Sequence, residues 1–126
     1  MASTMDVAKK LVDLCNQMKN LDAVNQLYSD KIVSIEPHAM PEMPARMEGK
    51  DAILKKNNWF FNTHTIHSSK AAPPMVNGDK FLVQFKLDAT AKEGPMAGKR
   101  MQMEEAGLYT VKDGKIVQEE FFYNMG

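Results

Sequence analysis

The spacing of the hydrophobic residues changes midway along this chain, and the change restricts the folds that the chain can adopt. In most of the first half, apolar side chains recur every three or four residues, which is the period of an α-helix that buries one face. From Thr65 onward they alternate with polar residues, which is the period of a β-strand. Helices followed by a run of strands predict an α+β fold, in which the helices cover one face of an antiparallel sheet.

Three helices are predicted before the change in period. The first begins at Ser3 or Thr4, because either hydroxyl can accept a hydrogen bond from a backbone N–H of the first turn. The second runs over residues 22–28, and the third over about residues 50–62. Cys15 lies on the apolar stripe of the first helix, and we therefore expect a buried and unreactive thiol.

One strand and one loop are predicted between the second and third helices. Residues 32–36 are mostly β-branched and predict a short strand that ends at Pro37. Residues 37–48 contain Pro37, Pro41 and Pro44. Because proline fixes φ and has no N–H to donate, this segment is predicted to be a loop.

Four strands are predicted in the second half, over residues 65–70, 81–90, 100–111 and 115–123. Asn77-Gly78-Asp79 and Asp113-Gly114 are typical of the tight turns that join antiparallel strands. Pro73-Pro74 interrupts or ends the first of these strands. The four strands are therefore predicted to form a meander.

Length and composition exclude several classes of function. The chain has 126 residues, the size of one domain, and we predict a single domain over residues 1–126. Lys plus Arg equals Asp plus Glu at 16 each, so we expect no nucleic-acid partner, which would need clustered positive charge. No apolar segment approaches the roughly 20 residues that span a bilayer, so no membrane partner is expected. A single cysteine and the lack of a signal-peptide pattern predict a cytoplasmic protein.

Three segments of the chain resemble a known family in their order and spacing. The segment Leu-Tyr-Ser-Asp-Lys-Ile-Val-Ser-Ile-Glu-Pro at residues 27–37 is followed by Glu-Gly-Lys-Asp-Ala-Ile at residues 48–53, and the chain ends with a hairpin sequence at residues 109–123. Together they resemble the SnoaL-like branch of the nuclear transport factor 2-like superfamily, over nearly the whole chain. The resemblance implies a cystatin-like α+β roll. In this roll a cone-shaped, strongly curved antiparallel sheet holds about three helices in its concave face, around an internal pocket.

The superfamily includes ketosteroid isomerases, and the resemblance therefore suggests where chemistry could occur. In those enzymes the general base is an aspartate directly before a proline at the end of the first strand, and Glu36-Pro37 occupies that position here. The two hydrogen-bond donors of their oxyanion hole correspond to Val12 and to about Ala106, whose side chains cannot donate. The resemblance thus implies a carboxylate in the pocket, but it does not imply steroid isomerisation.

Catalytic roles are predicted for Glu36, His38 and Tyr123. A carboxyl group that faces an apolar interior has a raised pKa and can act as a base or an acid. If the strand geometry continues past Pro37, His38 shares the face of Glu36, and either His38 or Tyr123 could donate a proton. In the alternative, Glu36 points to solvent and His38 is an exposed loop residue.

The predicted pocket lining comes from the third helix and the last two strands. Trp59 offers a large apolar face with one donor, and His64 can form hydrogen bonds at the wall. On residues 100–111 the family alignment favours the face of Gln102 and Glu104 over the face of Met101, Met103 and Glu105, although one β-bulge would exchange them. The residues predicted to line the pocket are Trp59, Phe60, His64, Gln102, Glu104, Glu119 and Phe121.

Three acidic residues of this set would meet in the pocket if the face assignment is correct. Glu36, Glu104 and Glu119 would then repel one another, so at least one would be protonated near neutral pH or paired with a cation. The alternative places these glutamates on an exposed or dimer-forming face. His64 and His67 do not have the spacing of a metal site, and we predict neither a metal nor a cofactor.

Three functions fit these observations. The first is cofactor-independent acid–base catalysis, of the isomerase, cyclase or hydrolase type, on a small hydrophobic molecule. The second is a binding domain that holds such a ligand without chemistry. The third is a module that forms a homodimer through its sheet face, which is compatible with either of the others.

Overall fold

The computed structural model describes residues 2–39 and 43–123, so Pro41 of the predicted loop lies outside the described residues. The helices are α1 (Thr4–Asn16), α2 (Asn20–Leu27) and α3 (Lys50–Thr63). The strands are β1 (Tyr28–Ile35), β2 (Arg46–Glu48), β3 (His64–Ala71), β4 (Met75–Asn77), β5 (Lys80–Ala91), β6 (Arg100–Lys112) and β7 (Lys115–Phe122).

All seven of these strands join one sheet. Its order is β2-β1-β7-β6-β5-β3, and β4 pairs with β5 outside this path. The pairs are antiparallel except for β1 and β7, which run parallel because the long connection through α3 and the meander brings the chain back in the same direction. The predicted α+β class, with three helices in the first half of the chain, is confirmed.

Helix α1 begins where the sequence predicts it. Ser3 is the N-cap: its hydroxyl accepts a hydrogen bond from the Asp6 N–H at 3.1 Å, and the Asp6 carboxylate accepts one from the Ser3 N–H at 3.2 Å. The apolar stripe of α1 is buried and includes Cys15. Burial raises the pKa of the Cys15 thiol to about 12, which keeps it protonated and weakly nucleophilic.

The two predicted tight turns are confirmed by backbone geometry and strand register. Lys112 pairs with Lys115, and the two residues between them, Asp113 and Gly114, have φ of 53° and 77°. Positive φ at both positions is the geometry of a type I′ turn, whose twist matches that of the flanking strands. Asn77 likewise pairs with Lys80, across a two-residue turn that begins at Gly78.

The prediction of a loop over residues 37–48 is wrong for its last three residues. Residues 46–48 form β2, which pairs with β1 at the edge of the sheet, with Val33 opposite Glu48. All three prolines precede this segment, so its backbone N–H groups remain free to join a ladder. The short strand β4, which follows Pro73-Pro74, was also not predicted.

The three helices cover one face of the sheet, here called the inner face, and the core lies between them. Its largest fully buried side chains are Leu11 from α1, Ile53 from α3, and Ile32, Phe81 and Tyr109 from the strands. The side-chain amide of Asn16 joins the two layers, because it donates to the Ala71 carbonyl at 3.1 Å and accepts from the Ala71 N–H at 2.8 Å. Among the described residues, no helix is long and apolar enough to cross a membrane.

Candidate functional site

A cavity of about 1120 Å³ lies between the helices and the inner face of the sheet. All three helices contribute to its wall, together with β5, β6, β7 and the loop that joins β5 to β6. Its lining is mainly apolar, and includes Trp59, Phe60, Phe61, Phe85, Met101 and Met103. A cavity with this volume and lining suits a small, largely apolar molecule.

Glu36 lies in the wall of this cavity, directly after the end of β1. Its backbone N–H donates to the Ala45 carbonyl at 2.8 Å, which fixes the chain where it leaves the strand. The Oε2 atom is buried and has no hydrogen-bond partner among the residues that the structure describes. Burial raises the pKa of the Glu36 carboxyl, and the charge of Glu119 raises it further, while Lys56 and the Tyr123 hydroxyl act in the opposite direction.

Glu105 is a second carboxyl group in the cavity wall, and the prediction placed it on the other face of the sheet. It is half-buried, on β6. Burial raises the pKa of the Glu105 carboxyl to about 7, and the charges of Glu36 and Glu119 contribute to the rise. Near neutral pH this group therefore exchanges readily between its neutral and ionised forms.

Gln102 and Glu104 border the cavity, but their side chains are exposed, whereas Met101, Met103 and Glu105 on the other face of β6 are half-buried. Glu104 forms an ion pair with Lys86 on β5, at 3.7 Å, in which both side chains are about two-thirds exposed. The register explains this difference: Tyr109 pairs with Glu119 and is buried, so the odd-numbered residues of β6 point inward. Glu105, which was predicted on the other face, therefore joins Glu104 in the cavity wall.

Glu119 lies in the cavity wall as the centre of a buried hydrogen-bond network. Its carboxylate accepts a hydrogen bond from the Tyr28 hydroxyl and another from the Ser34 hydroxyl at 2.7 Å. The Lys56 ammonium donates to the Ser34 oxygen at 2.8 Å and lies over the Phe121 ring, 5.5 Å from its centroid. Both carboxylate oxygens of Glu119 are thus engaged, unlike those of Glu36.

The aromatic residues predicted to line the pocket are in its wall. Trp59, Phe60 and His64 cluster at the end of α3, where the His64 ring stacks on Phe60 with centroids 4.2 Å apart. The His64 Nδ1 atom lies 2.9 Å from the Thr63 hydroxyl and 3.2 Å from the Phe60 carbonyl, so its partners are local. Phe121 also contributes to the lining, from β7.

The two candidate proton donors of the sequence analysis have different positions. Tyr123 lines the cavity, and its pKa is raised to about 12 by burial and by the nearby charges of Glu36 and Glu105, so its hydroxyl keeps its proton. His38 has an exposed side chain and is not part of the cavity wall, so the structure does not bring it together with Glu36. Pro37 and the turn that follows end the strand geometry on which that pairing depended.

Alternation along β6 could have identified Glu105 without a structure. Met101 and Met103 share its parity and are apolar, whereas Gln102 and Glu104 are polar, so a half-buried strand is expected to turn the odd residues inward. Within residues 2–39 and 43–123 no group of three or more His, Cys, Asp or Glu side chains is arranged to hold a metal ion.

Comparison with known proteins gives a family and several structural neighbours. The model of the SnoaL-like domain family matches residues 2–123. A candidate SnoaL-like polyketide cyclase from Mesorhizobium loti is 38% identical, with a TM-score of 0.88 over 97% of this chain and 100% of that one. No curated protein matches the sequence.

Two more distant structures share the fold alone. A nuclear transport factor 2-like protein from Burkholderia thailandensis is 16% identical, with a TM-score of 0.82 over 98% of this chain and 92% of its own. A protein with a cystatin-like fold from Xanthomonas campestris is 17% identical, with a TM-score of 0.76 over 97% of this chain and 91% of its own. The cystatin-like fold expected from the sequence is confirmed.

Proposed function

This chain belongs to the SnoaL-like domain family, and on that premise we propose that it binds a small, largely apolar carbonyl compound and catalyses proton transfer within it. The observation that carries the proposal concerns two of the carboxyl groups in the wall of this mainly apolar cavity, Glu36 and Glu105, because burial raises the pKa of both. The 38% identity to a candidate polyketide cyclase gives further support, since polyketides carry carbonyl groups beside acidic C–H bonds.

The two carboxyl groups suit opposite roles. Glu36 has an oxygen without a hydrogen-bond partner among the described residues, so it is free to accept a proton from the carbon next to the carbonyl. The electron pair of that C–H bond then moves toward the carbonyl oxygen. Glu105 in its neutral form donates a hydrogen bond to this oxygen and stabilises the developing charge, and the Tyr123 hydroxyl is a second donor.

The product depends on where the enolate is next used. A proton returned to a different carbon gives isomerisation, whereas attack on a second carbonyl of the same molecule gives cyclisation. The cavity wall directs either outcome through the shape of its aromatic and methionine side chains. The function proposed is therefore proton abstraction from the carbon beside a carbonyl. The structure of the substrate determines which step follows.

The first test joins ligand binding to hydrogen exchange. The probes are acetophenone and larger aryl ketones in D₂O. We expect a ketone that binds to raise the melting temperature of the wild type. We also expect the wild type to catalyse exchange of the ketone's α-hydrogens for deuterium, which is measured by NMR. Glu36→Gln is expected to slow the exchange by at least about 100-fold while ligand binding persists, because a general base contributes roughly 10²–10⁴-fold. Glu48→Gln, at an exposed carboxylate on β2 outside the cavity lining, serves as the control and is expected to change neither.

Two outcomes would change the proposal. A ketone that stabilises the wild type without any exchange would support a non-catalytic binding domain instead. Exchange that is equally fast in Glu36→Gln and in the wild type would show that Glu36 is not the general base.

A specific surface favours a second role, and we also propose that the chain forms a homodimer through the outer face of its sheet. Phe122 and Met75 are 49% and 71% exposed and border a groove of about 450 Å³ on that face, together with Leu82 and Ala106. Exposed apolar side chains grouped around a groove are typical of an interface. Charged pairs of both signs occur on the same outer face, among them Lys86 with Glu104, which suits a self-complementary contact.

Sedimentation velocity tests the homodimer. The wild type is expected to sediment as a dimer, and Phe122→Lys as a monomer, because a charge placed in the apolar contact has no partner. Met18→Lys is the matched control, since Met18 is 45% exposed but lies at the end of α1, away from the sheet face. A monomeric wild type, or a dimer that persists in Phe122→Lys, would refute this interface.

A further inference from the structure

Glu36 and Glu105, two of the carboxyl groups in the cavity wall, differ in their position relative to Lys56. Lys56 is the only lysine or arginine among the described residues that line the cavity, and it is anchored there by Ser34. Ser34 in turn donates to Glu119, so the ammonium has a fixed position at the end of a buried chain of hydrogen bonds. Its ammonium nitrogen lies over the Phe121 ring.

Strand geometry places this anchor beside Glu36. Ser34 lies in β1 and Glu36 follows it by two residues, directly after the strand ends, so their Cα atoms are at most about 7 Å apart. Glu105 is two strands away, since β7 lies between β1 and β6, and adjacent strands are about 4.8 Å apart. Glu105 is also displaced along its strand from the level of Ser34. Ser34 pairs with Glu119, and Glu119 pairs with Tyr109, which lies four residues after Glu105.

We propose that Lys56 is a positioning residue that, through its anchor on Ser34 and Glu119, decides which of the two carboxyl groups carries the proton: it holds Glu36 ionised and leaves Glu105 neutral. The inference rests on the proposed function, because it supplies the base and the acid that proton transfer requires. Without Lys56, two carboxyl groups in similar apolar surroundings would compete for the same proton. With it, their roles are assigned before a ligand enters.

The electrostatic surroundings agree with this assignment. Among the charges that act on Glu36, Lys56 is the largest, and it lowers the pKa of that carboxyl against the effect of burial. At Glu105 the effect of Lys56 is the smallest of the four influences, after burial and the charges of Glu36 and Glu119, and the pKa of Glu105 remains raised to about 7. The titratable and charged groups that line this cavity are Cys15, Tyr28, Glu36, Lys56, His64, Glu93, Glu104, Glu105, Tyr109, Glu119 and Tyr123.

The test is a pH titration of the ligand-free protein, in which ¹³C NMR monitors the signals of its glutamate carboxyl groups. In Lys56→Met the midpoint of Glu36 is expected to rise by about one pH unit, and that of Glu105 by less, since a nearby cation favours the ionised carboxylate. Lys56→Arg keeps the charge and is expected to restore most of the wild-type midpoint. Lys55→Met is the matched control, because Lys55 is exposed on the same helix, and it is expected to shift neither group.

Ser34→Ala provides a second variant that leaves the lysine in place. It removes the anchor, so a smaller rise in the Glu36 midpoint is expected than in Lys56→Met. The inference is overturned if Lys56→Met leaves the Glu36 midpoint unchanged, or if Glu105 moves as far as Glu36. Because no ligand is present, this result is independent of whether any ketone binds or exchanges, and failure of the proposed function is recognised separately by the exchange experiment.

Discussion

The Glu119→Ala variant is expected to lose about 3 to 5 kcal/mol of the free energy of unfolding, the cost of removing one partner from a buried, charged network. Glu119 is 2% exposed, and its carboxylate accepts hydrogen bonds from Tyr28 and Ser34. Alanine leaves both hydroxyls without their acceptor inside the core, and the hydrogen-bond chain from Lys56 through Ser34 loses its final acceptor. The removed atoms also leave a void against Tyr109, the register partner of Glu119.

Chemical denaturation of Glu119→Ala, Glu119→Gln and Glu120→Ala measures this effect. Glutamine keeps the shape and one acceptor, so its loss is expected to be smaller than that of alanine. Glu120 is the next residue along β7 and has the opposite parity, so its truncation is expected to change stability by less than about 1 kcal/mol. An alanine variant at position 119 as stable as the one at position 120 would contradict a structural role for the network.

The helices and the meander could be predicted because local sequence specifies them. Ser3 and Asp6 form the cap of α1 by themselves, and Asp113-Gly114 forms its turn without help from distant residues. Pairings between distant segments have no such local signal. The parallel contact of β1 with β7, and the addition of residues 46–48 as an edge strand, depend on where the whole chain returns.

The candidate site was predicted in part, and the error has a physical cause. Glu36 was assigned from the family resemblance and Phe121 from the family alignment of the last two strands, and both are in the cavity wall. Glu104 was assigned from an alignment, and in a strand an error of one residue moves every side chain to the opposite face. The network around Glu119 could not be predicted at all, because it joins Glu119 on β7 to Tyr28 and Ser34 on β1 and to Lys56 on α3.

A bulge in β7 shows why strand parity alone is an unsafe guide. Val111 pairs with Ile116 and Thr110 with Gln118, so Val117 has no partner of its own in β6. The inserted residue lets Ile116 and Glu119 both be buried, although their numbers have opposite parity. From Glu119 onward the alternation is regular again, and Glu119, Phe121 and Tyr123 all line the cavity as predicted.

The Glu105→Gln variant is expected to be more stable than the wild type at pH 8 and equally stable near pH 4.5. In the folded protein the pKa of Glu105 is raised from its ordinary value of 4.5 to about 7, mainly by burial. Between these two pH values the folded protein binds more protons at this site than the unfolded chain, so the wild type loses stability as the pH rises, and the loss is complete above pH 7. A shift of this size corresponds to roughly 3 kcal/mol, and glutamine, which is never ionised, does not incur it.

Denaturation midpoints at several pH values between 4.5 and 8 measure the difference between each variant and the wild type. For Glu105→Gln the difference is expected to grow with pH and to level off above pH 7. Glu104→Gln, which removes an exposed carboxylate from the adjacent position, is expected to show a small difference that does not change with pH. If the stability difference between Glu105→Gln and the wild type is the same at pH 5 and pH 8, the Glu105 carboxyl group is ionised at both pH values in the ligand-free protein. The cavity would then lack its neutral acid, and the division of roles between Glu36 and Glu105 would fail with it.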